Sequence, residues 1–120
     1  EALIKPQIEK FFNDTLEESK HKYCPYDFKG KTNVYEVKSR NNEYNKYPTT
    51  LVGSDKVRDN LIFIFNFTDG AYYIQYNAEE FAKFEKKPFR RYRANVYDKE
   101  KEYIYIPIDK LKKITSDISQ

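Results

Sequence analysis

Asp27, Glu36 and Lys38 are the side chains of this 120-residue sequence whose types and spacing suit chemistry. Residues 34–40 alternate as a strand does, so Glu36, Lys38 and Arg40 share one face while Tyr35, Val37 and Ser39 share the other. Tyr35 and Val37 form the natural core face, which leaves an acid and two bases together on the opposite one. Lys29-Gly30-Lys31-Thr32-Asn33 has turn composition, and a turn over residues 30–33 sets Asp27 directly across from Glu36. Side chains paired across one face have Cβ atoms about 4.5–5.5 Å apart. Two carboxylates that close repel unless one is protonated or a cation stands between them. A divalent metal removes the repulsion, with Lys38 beside it. The chain has one cysteine, Cys24, and one histidine, His21, which excludes an internal disulfide and a Cys/His zinc site. Any metal must then rest on carboxylates, which points to Mg²⁺, Mn²⁺ or Ca²⁺.

The elements that must position these residues follow from hydrophobic periodicity. Ile8, Phe11, Phe12 and Leu16 recur at helical spacing, and Pro6 suits a first turn, so a helix is expected over 6–20. The chemically interesting hairpin spans 23–40, with strands at 23–28 and 34–40. A polar loop over 41–50 leads to a short helix over 53–60, capped by Ser54 with Asp55 in its first turn. Residues 61–67 are almost wholly apolar, the mark of a strand buried on both faces. Asp69-Gly70 is a hairpin signal, and the chain returns antiparallel to complete a strand pair over 61–76. A helix over 78–84, a strand over 91–97, a charged turn over 98–102, and a C-terminal strand and helical turn within 103–114 complete the order. That order predicts an α+β fold, one domain over 1–120, with a central mixed sheet flanked by helices.

The formal net charge of +3 conceals a division. Residues 83–93 hold six basic side chains (Lys83, Lys86, Lys87, Arg90, Arg91 and Arg93) against Glu85, and the rest of the chain is slightly acidic. Phe84, Phe89 and Tyr92 interleave with them, a pattern suited to a nucleic-acid backbone and unstacked bases. The abundance of Tyr and Phe, with neither Met nor Trp, supplies a core and argues against disorder. No apolar run is long enough to span a bilayer and no signal-like segment opens the sequence, so no membrane partner is expected and an intracellular setting, cytoplasm or nucleus, is.

The spacing of Asp27 with Glu36-Val37-Lys38 resembles the PD-(D/E)XK nuclease superfamily, whose hallmark is an acid on one strand and acid–apolar–Lys on the next. Here the sequence reads Pro25-Tyr26-Asp27 rather than Pro-Asp. The wider order of Tyr35-Glu36-Val37-Lys38-Ser39, a Thr-containing loop, a short helix, an apolar strand pair and a late Ile-Pro looks like small, blunt-cutting, homodimeric type II restriction endonucleases. The resemblance implies a restriction-endonuclease-like core, DNA as substrate, a homodimer, and phosphodiester hydrolysis with Mg²⁺ or Mn²⁺. Asp27, Glu36 and the Val37 carbonyl would hold the metal, and Lys38 would orient the attacking water and offset transition-state charge. Many relatives carry a further acid on the first helix, and Glu18 is the nearer candidate. Arg40, Thr49, Thr50, Lys56 and Arg58, which follow the catalytic strand, and Lys87, Arg90, Arg91 and Arg93 of the basic stripe are the expected DNA contacts. Two other readings share these residues: a non-catalytic nucleic-acid-binding module of a larger protein, and an RNA-cleaving nuclease of the same fold.

Overall fold

The structure, a computed structural model, describes residues 4–19, 24, 26–89 and 101–114. Its elements in chain order are α1 (Lys5–Phe12), β1 (Glu17–Glu18), β2 (Phe28–Lys29), β3 (Val34–Ser39), β4 (Thr49–Gly53), β5 (Leu61–Phe67), β6 (Gly70–Gln75), α2 (Ala78–Phe81), β7 (Glu85–Phe89), β8 (Lys101–Pro107) and β9 (Lys112–Lys113). Single 3-10 turns stand at Ser54–Lys56 and Ile108–Lys110. The strands form a six-stranded sheet in the order β1-β2-β3-β5-β6-β9 and a three-stranded sheet in the order β4-β8-β7. The larger sheet is mixed, because β3 and β5 run parallel while its other pairings are antiparallel. The fold is therefore a mixed α/β arrangement around a mixed central sheet.

Period-2 alternation divides the core between the faces of the larger sheet. Tyr35, Val37, Ile62 and Ile64 point to one face and pack with Phe28, Ile8 and Leu16 beneath α1. Leu61, Phe63, Phe65 and Phe67 point to the other and meet Val52, Ile104 and Ile106 of the smaller sheet and Phe81 of α2. β5 is thus buried on both faces, as its apolar sequence demands, except at Asn66.

Several elements differ from expectation for local reasons. The first helix ends at Phe12, not at residue 20, because Asn13 adopts a left-handed conformation (φ 54°) and Asp14 Oδ1 accepts the Thr15 N–H at 2.8 Å. Glu9 Oε2 then accepts the Leu16 N–H at 2.8 Å and turns the chain back. Glu18 consequently lies on β1, across from Phe28, rather than on a helix. The helix expected over 53–60 is only the Ser54–Lys56 turn. Ser54 does not cap it; its hydroxyl donates to Glu102 O, and Asp55 pairs with Lys101. Gly70 begins β6 at φ 153°, a conformation L side chains rarely adopt, so the hairpin loop is Thr68-Asp69, one residue earlier than expected. The polar segment before residue 53 contributes β4, and Glu85–Phe89, which carries no strand pattern, pairs along β8 as β7. The C-terminal turn is followed by β9 rather than continuing to residue 114. The strand expected over 91–97 lies outside the described residues.

One contact fixes the hairpin that carries Asp27 and Glu36. Asp14 Oδ1 accepts the Lys31 N–H at 3.1 Å, and Tyr35 donates its hydroxyl to Asp14 Oδ2 at 3.1 Å. The Asp14 carboxylate occupies the space a Cβ on Gly30 would need, which is why the turn carries glycine there. Desolvation pushes the Asp14 carboxyl up, but hydrogen bonds from Lys31, Tyr35 and Thr15 outweigh it and hold the group below its ordinary 3.8. Burial, then the bond to Asp14, pushes the Tyr35 phenol up to about 12. A phenol whose pKa rises on folding stabilises the fold fully below its unfolded pKa and loses that contribution as pH climbs through the folded one. Urea titrations should therefore show wild-type stability falling between pH 10 and pH 12, with Tyr35→Phe falling less over that window. At neutral pH the variant should be about 1–2 kcal/mol less stable, from the lost bond to a carboxylate.

Candidate functional site

β3 is central in the larger sheet, so placing a charge on either face of it requires a compensating partner. Among the described residues the buried polar or charged side chains are Glu36, 7% exposed, and Thr50, 5% exposed. Glu36 lies on the side of the sheet that faces β4 and β8, in register with Phe63. Its Oε2 is 2.6 Å from Lys38 Nζ, two residues further along the same face.

Continuing the β2–β3 register one step past Phe28 and Tyr35 sets Asp27 against Glu36. The chain leaves the ladder there. The Asp27 N–H donates to Tyr35 O at 2.9 Å, and Asp27 Oδ2 accepts the Val37 N–H at 2.7 Å. Asp27 thus takes up a backbone donor that β2, only two residues long, is too short to reach. The N–H and C=O of a strand residue point to the same side, so the Val37 carbonyl is directed to the edge where Asp27 lies. The described residues contain no group of three His, Cys, Asp or Glu side chains placed to hold a metal. The donors expected of a metal site, Asp27, Glu36 and the Val37 carbonyl, are all oxygens, the donor type that Mg²⁺ takes. Glu18 is exposed on β1 and shares the register position of Phe28, whose side chain packs beneath α1.

Beyond Lys38 the chain enters a cleft of about 670 Å³. Its walls are the end of β3, the 41–48 loop, β4, the Ser54–Lys56 turn and the start of β8. Lys38, Arg40, Thr49, Thr50 and Lys56 all line it, so five of the expected site residues meet there. Arg40 donates from Nε to Thr50 Oγ1 at 3.2 Å and from a terminal nitrogen to Leu51 O at 2.8 Å, and its guanidinium lies 5.5 Å from the Phe65 ring centroid. Those partners are fixed by β4 and β5, which makes Arg40 a held cation rather than a swinging one. No Asp or Glu is among the lining side chains.

Arg58 is not part of this cleft and lies 5.7 Å from the ring centroid of Tyr26. Lys87 sits on the outer face of the small sheet, 4.8 Å from the Tyr105 ring centroid and 3.6 Å from Glu85 Oε2. Arg90, Arg91 and Arg93 lie outside the described residues. The cleft also contains Lys101, Tyr103 and Tyr105, which the sequence reading passed over. Their signal was the alternation of β8, where Ile104 and Ile106 take the core face and leave Lys101, Tyr103 and Tyr105 on the other.

No family model, curated protein or solved structure matches the chain. The local chemistry carries its own test. Removing the ammonium in Lys38→Met strands a buried carboxylate. Because Lys38 is itself 30% exposed, the cost should fall between the surface and fully buried limits, about 1–3 kcal/mol. Urea unfolding at neutral pH measures it, and Glu36→Gln in the Lys38→Met background should restore part of the loss.

Proposed function

We propose that the chain is a metal-dependent endonuclease that hydrolyses phosphodiester bonds in DNA with Mg²⁺ or Mn²⁺, on a restriction-endonuclease-like core. The observation that carries this reading is the burial of Glu36. It is the one carboxylate buried among the described residues, it is paired with Lys38, and Asp27 is bonded to the next residue of the same strand through the Val37 N–H. An apolar residue at that position would serve the fold as well or better, so the charge calls for a reason outside stability. The core reading draws support from a mixed sheet in which the hairpin β2–β3 continues into the parallel strand β5, with α1 on one face.

Asp27, Glu36 and the Val37 carbonyl are the ligands in this reading. A metal held there supplies Lewis-acid polarisation of the phosphate and a water of lowered pKa. Lys38 carries three donors on a flexible stem. One serves Glu36, and the others orient the attacking water and meet the charge that grows on the phosphate oxygens. Arg40 and Lys56 bind flanking phosphates, and Thr49 and Thr50 donate hydroxyls to the same backbone. A second reading, a non-catalytic nucleic-acid-binding module, is favoured by one observation: both carboxylates already have structural duties, Asp27 to Val37 and Glu36 to Lys38.

The deciding experiment incubates plasmid DNA, single-stranded DNA and RNA with Mg²⁺ or Mn²⁺, comparing wild type with Asp27→Asn and Lys38→Ala, each checked by circular dichroism for folding. The proposal expects metal-dependent cleavage that falls about 10²-fold or more in either variant. Equal activity in Lys38→Ala removes the assigned role. Binding without cleavage by the wild type with either metal establishes the second reading instead.

A further inference from the structure

The cleft beside Lys38 has a character that phosphodiester chemistry alone does not require. Aromatic rings stand among its cations, and one of them, Tyr47, is the large hydrophobic side chain that the described residues leave exposed, at 54%. Tyr47 is not on a loose segment. The loop that carries it is tied by Tyr44 N–H to Asp69 Oδ1 at 2.9 Å, Tyr44 hydroxyl to Ile108 O at 2.8 Å, Thr68 N–H to Asn42 O at 3.1 Å and Ile108 N–H to Pro48 O at 3.0 Å. The Tyr44 ring is stacked on Tyr72, with centroids 4.0 Å apart and planes 6° from parallel. A ring held in water by a pinned loop is already organised for a flat partner, and little ordering entropy is lost when one arrives. Lys46 Nζ lies over one face of the Tyr47 ring, 5.7 Å from its centroid, and adds a cation at the ring.

We infer that this cleft selects an unpaired nucleotide, stacking its base on Tyr47 while Arg40 and Lys56 take the phosphates on either side, so that the preferred substrate is single-stranded nucleic acid. A volume of about 670 Å³ lies within the ~300–1,000 Å³ of sites that enclose a small ligand, which admits a nucleotide unit and not a duplex. The lining joins both halves of what a single strand offers, a charged backbone and an exposed π-face. In a duplex the bases are stacked on each other and give Tyr47 nothing to meet. The inference rests on the nuclease reading in one respect only, that Lys38 at the cleft wall is the residue next to the reacting phosphate. One cleft suffices for one strand, so this substrate calls for no second copy of the chain.

The test measures binding with metal removed by EDTA, so that it stands apart from cleavage. Fluorescein-labelled oligothymidylate, oligouridylate and a hairpin duplex are titrated against the full chain by anisotropy, across a series of salt concentrations. Both single strands should bind more tightly than the duplex, and the difference between them reports whether DNA or RNA is favoured. Tyr47→Ala should weaken single-strand binding about tenfold, while Tyr47→Phe stays close to wild type. Because the ring is exposed, neither change threatens the fold. Lys56→Gln should reduce the slope of log affinity against log salt by about 0.7, the value for one phosphate contact on a single strand. Duplex binding as tight as single-strand binding, or equal affinities of wild type and Tyr47→Ala, overturns the inference. Cleavage failing while these binding results hold overturns the nuclease reading alone.

Discussion

β3 and β5 run side by side in the same direction over six residue pairs, from Val34 against Leu61 to Ser39 against Asn66. Parallel neighbours cannot be joined by a tight turn, so the chain must travel back the length of the sheet before β5 can start. Residues 40–60 make that journey, and they do so over the face that carries Glu36 and Lys38. On the way they lay down β4, which recruits β8 and β7 into a second sheet. The cleft is the space between this return path and the end of β3. Its cations at Arg40 and Lys56, its threonines and Tyr47 are there because a parallel pairing forced a crossover past the strand that bears Glu36 and Lys38.

The same pairing explains why Glu36 can be buried at all. β3 is covered on one face by α1 and its apolar partners and on the other by the crossover, so a side chain on either face leaves water. Lys38 compensates Glu36 from the same strand face, with its own end reaching the cleft. One ammonium thus joins the dry interior to the wet cavity. A substituent arriving in the cleft meets a charge whose position is set by a carboxylate it never touches.

Legibility in the sequence followed the range of the interactions involved. Alternation over residues 34–39 and the turn chemistry around Gly30 are local, and they gave the shared face of Glu36 and Lys38 and the turn between β2 and β3, whereas Asp27 lies one residue outside the paired strand. The apolar run of β5 announced burial on both faces for the same reason. What failed depended on partners distant in sequence. β7 is Glu-Lys-Lys-Pro-Phe and becomes a strand only because β8 lies beside it. Leu16 looked like the continuation of a helical stripe, yet Asn13, Asp14 and the reach of Glu9 back to its N–H close the helix first. Ser54 and Asp55 have the types of a helix start but spend their side chains on β8. The aromatic wall at Tyr103 and Tyr105 was visible as alternation, and only the second sheet showed which face of it lines a cavity.

The outermost strands of the large sheet, β1 and β9, are two residues each and entirely charged, Glu17-Glu18 at one border and Lys112-Lys113 at the other. Unpaired strand borders are where folded chains recruit one another into fibrous assemblies, and brevity and charge are the usual safeguards. Here the safeguard is polarised. Two copies meeting along the same border would bring like charges together over a ladder of only two residues. In a chain that is 18% aromatic, most of the phenylalanines among the described residues lie in the cores on the two faces of that sheet.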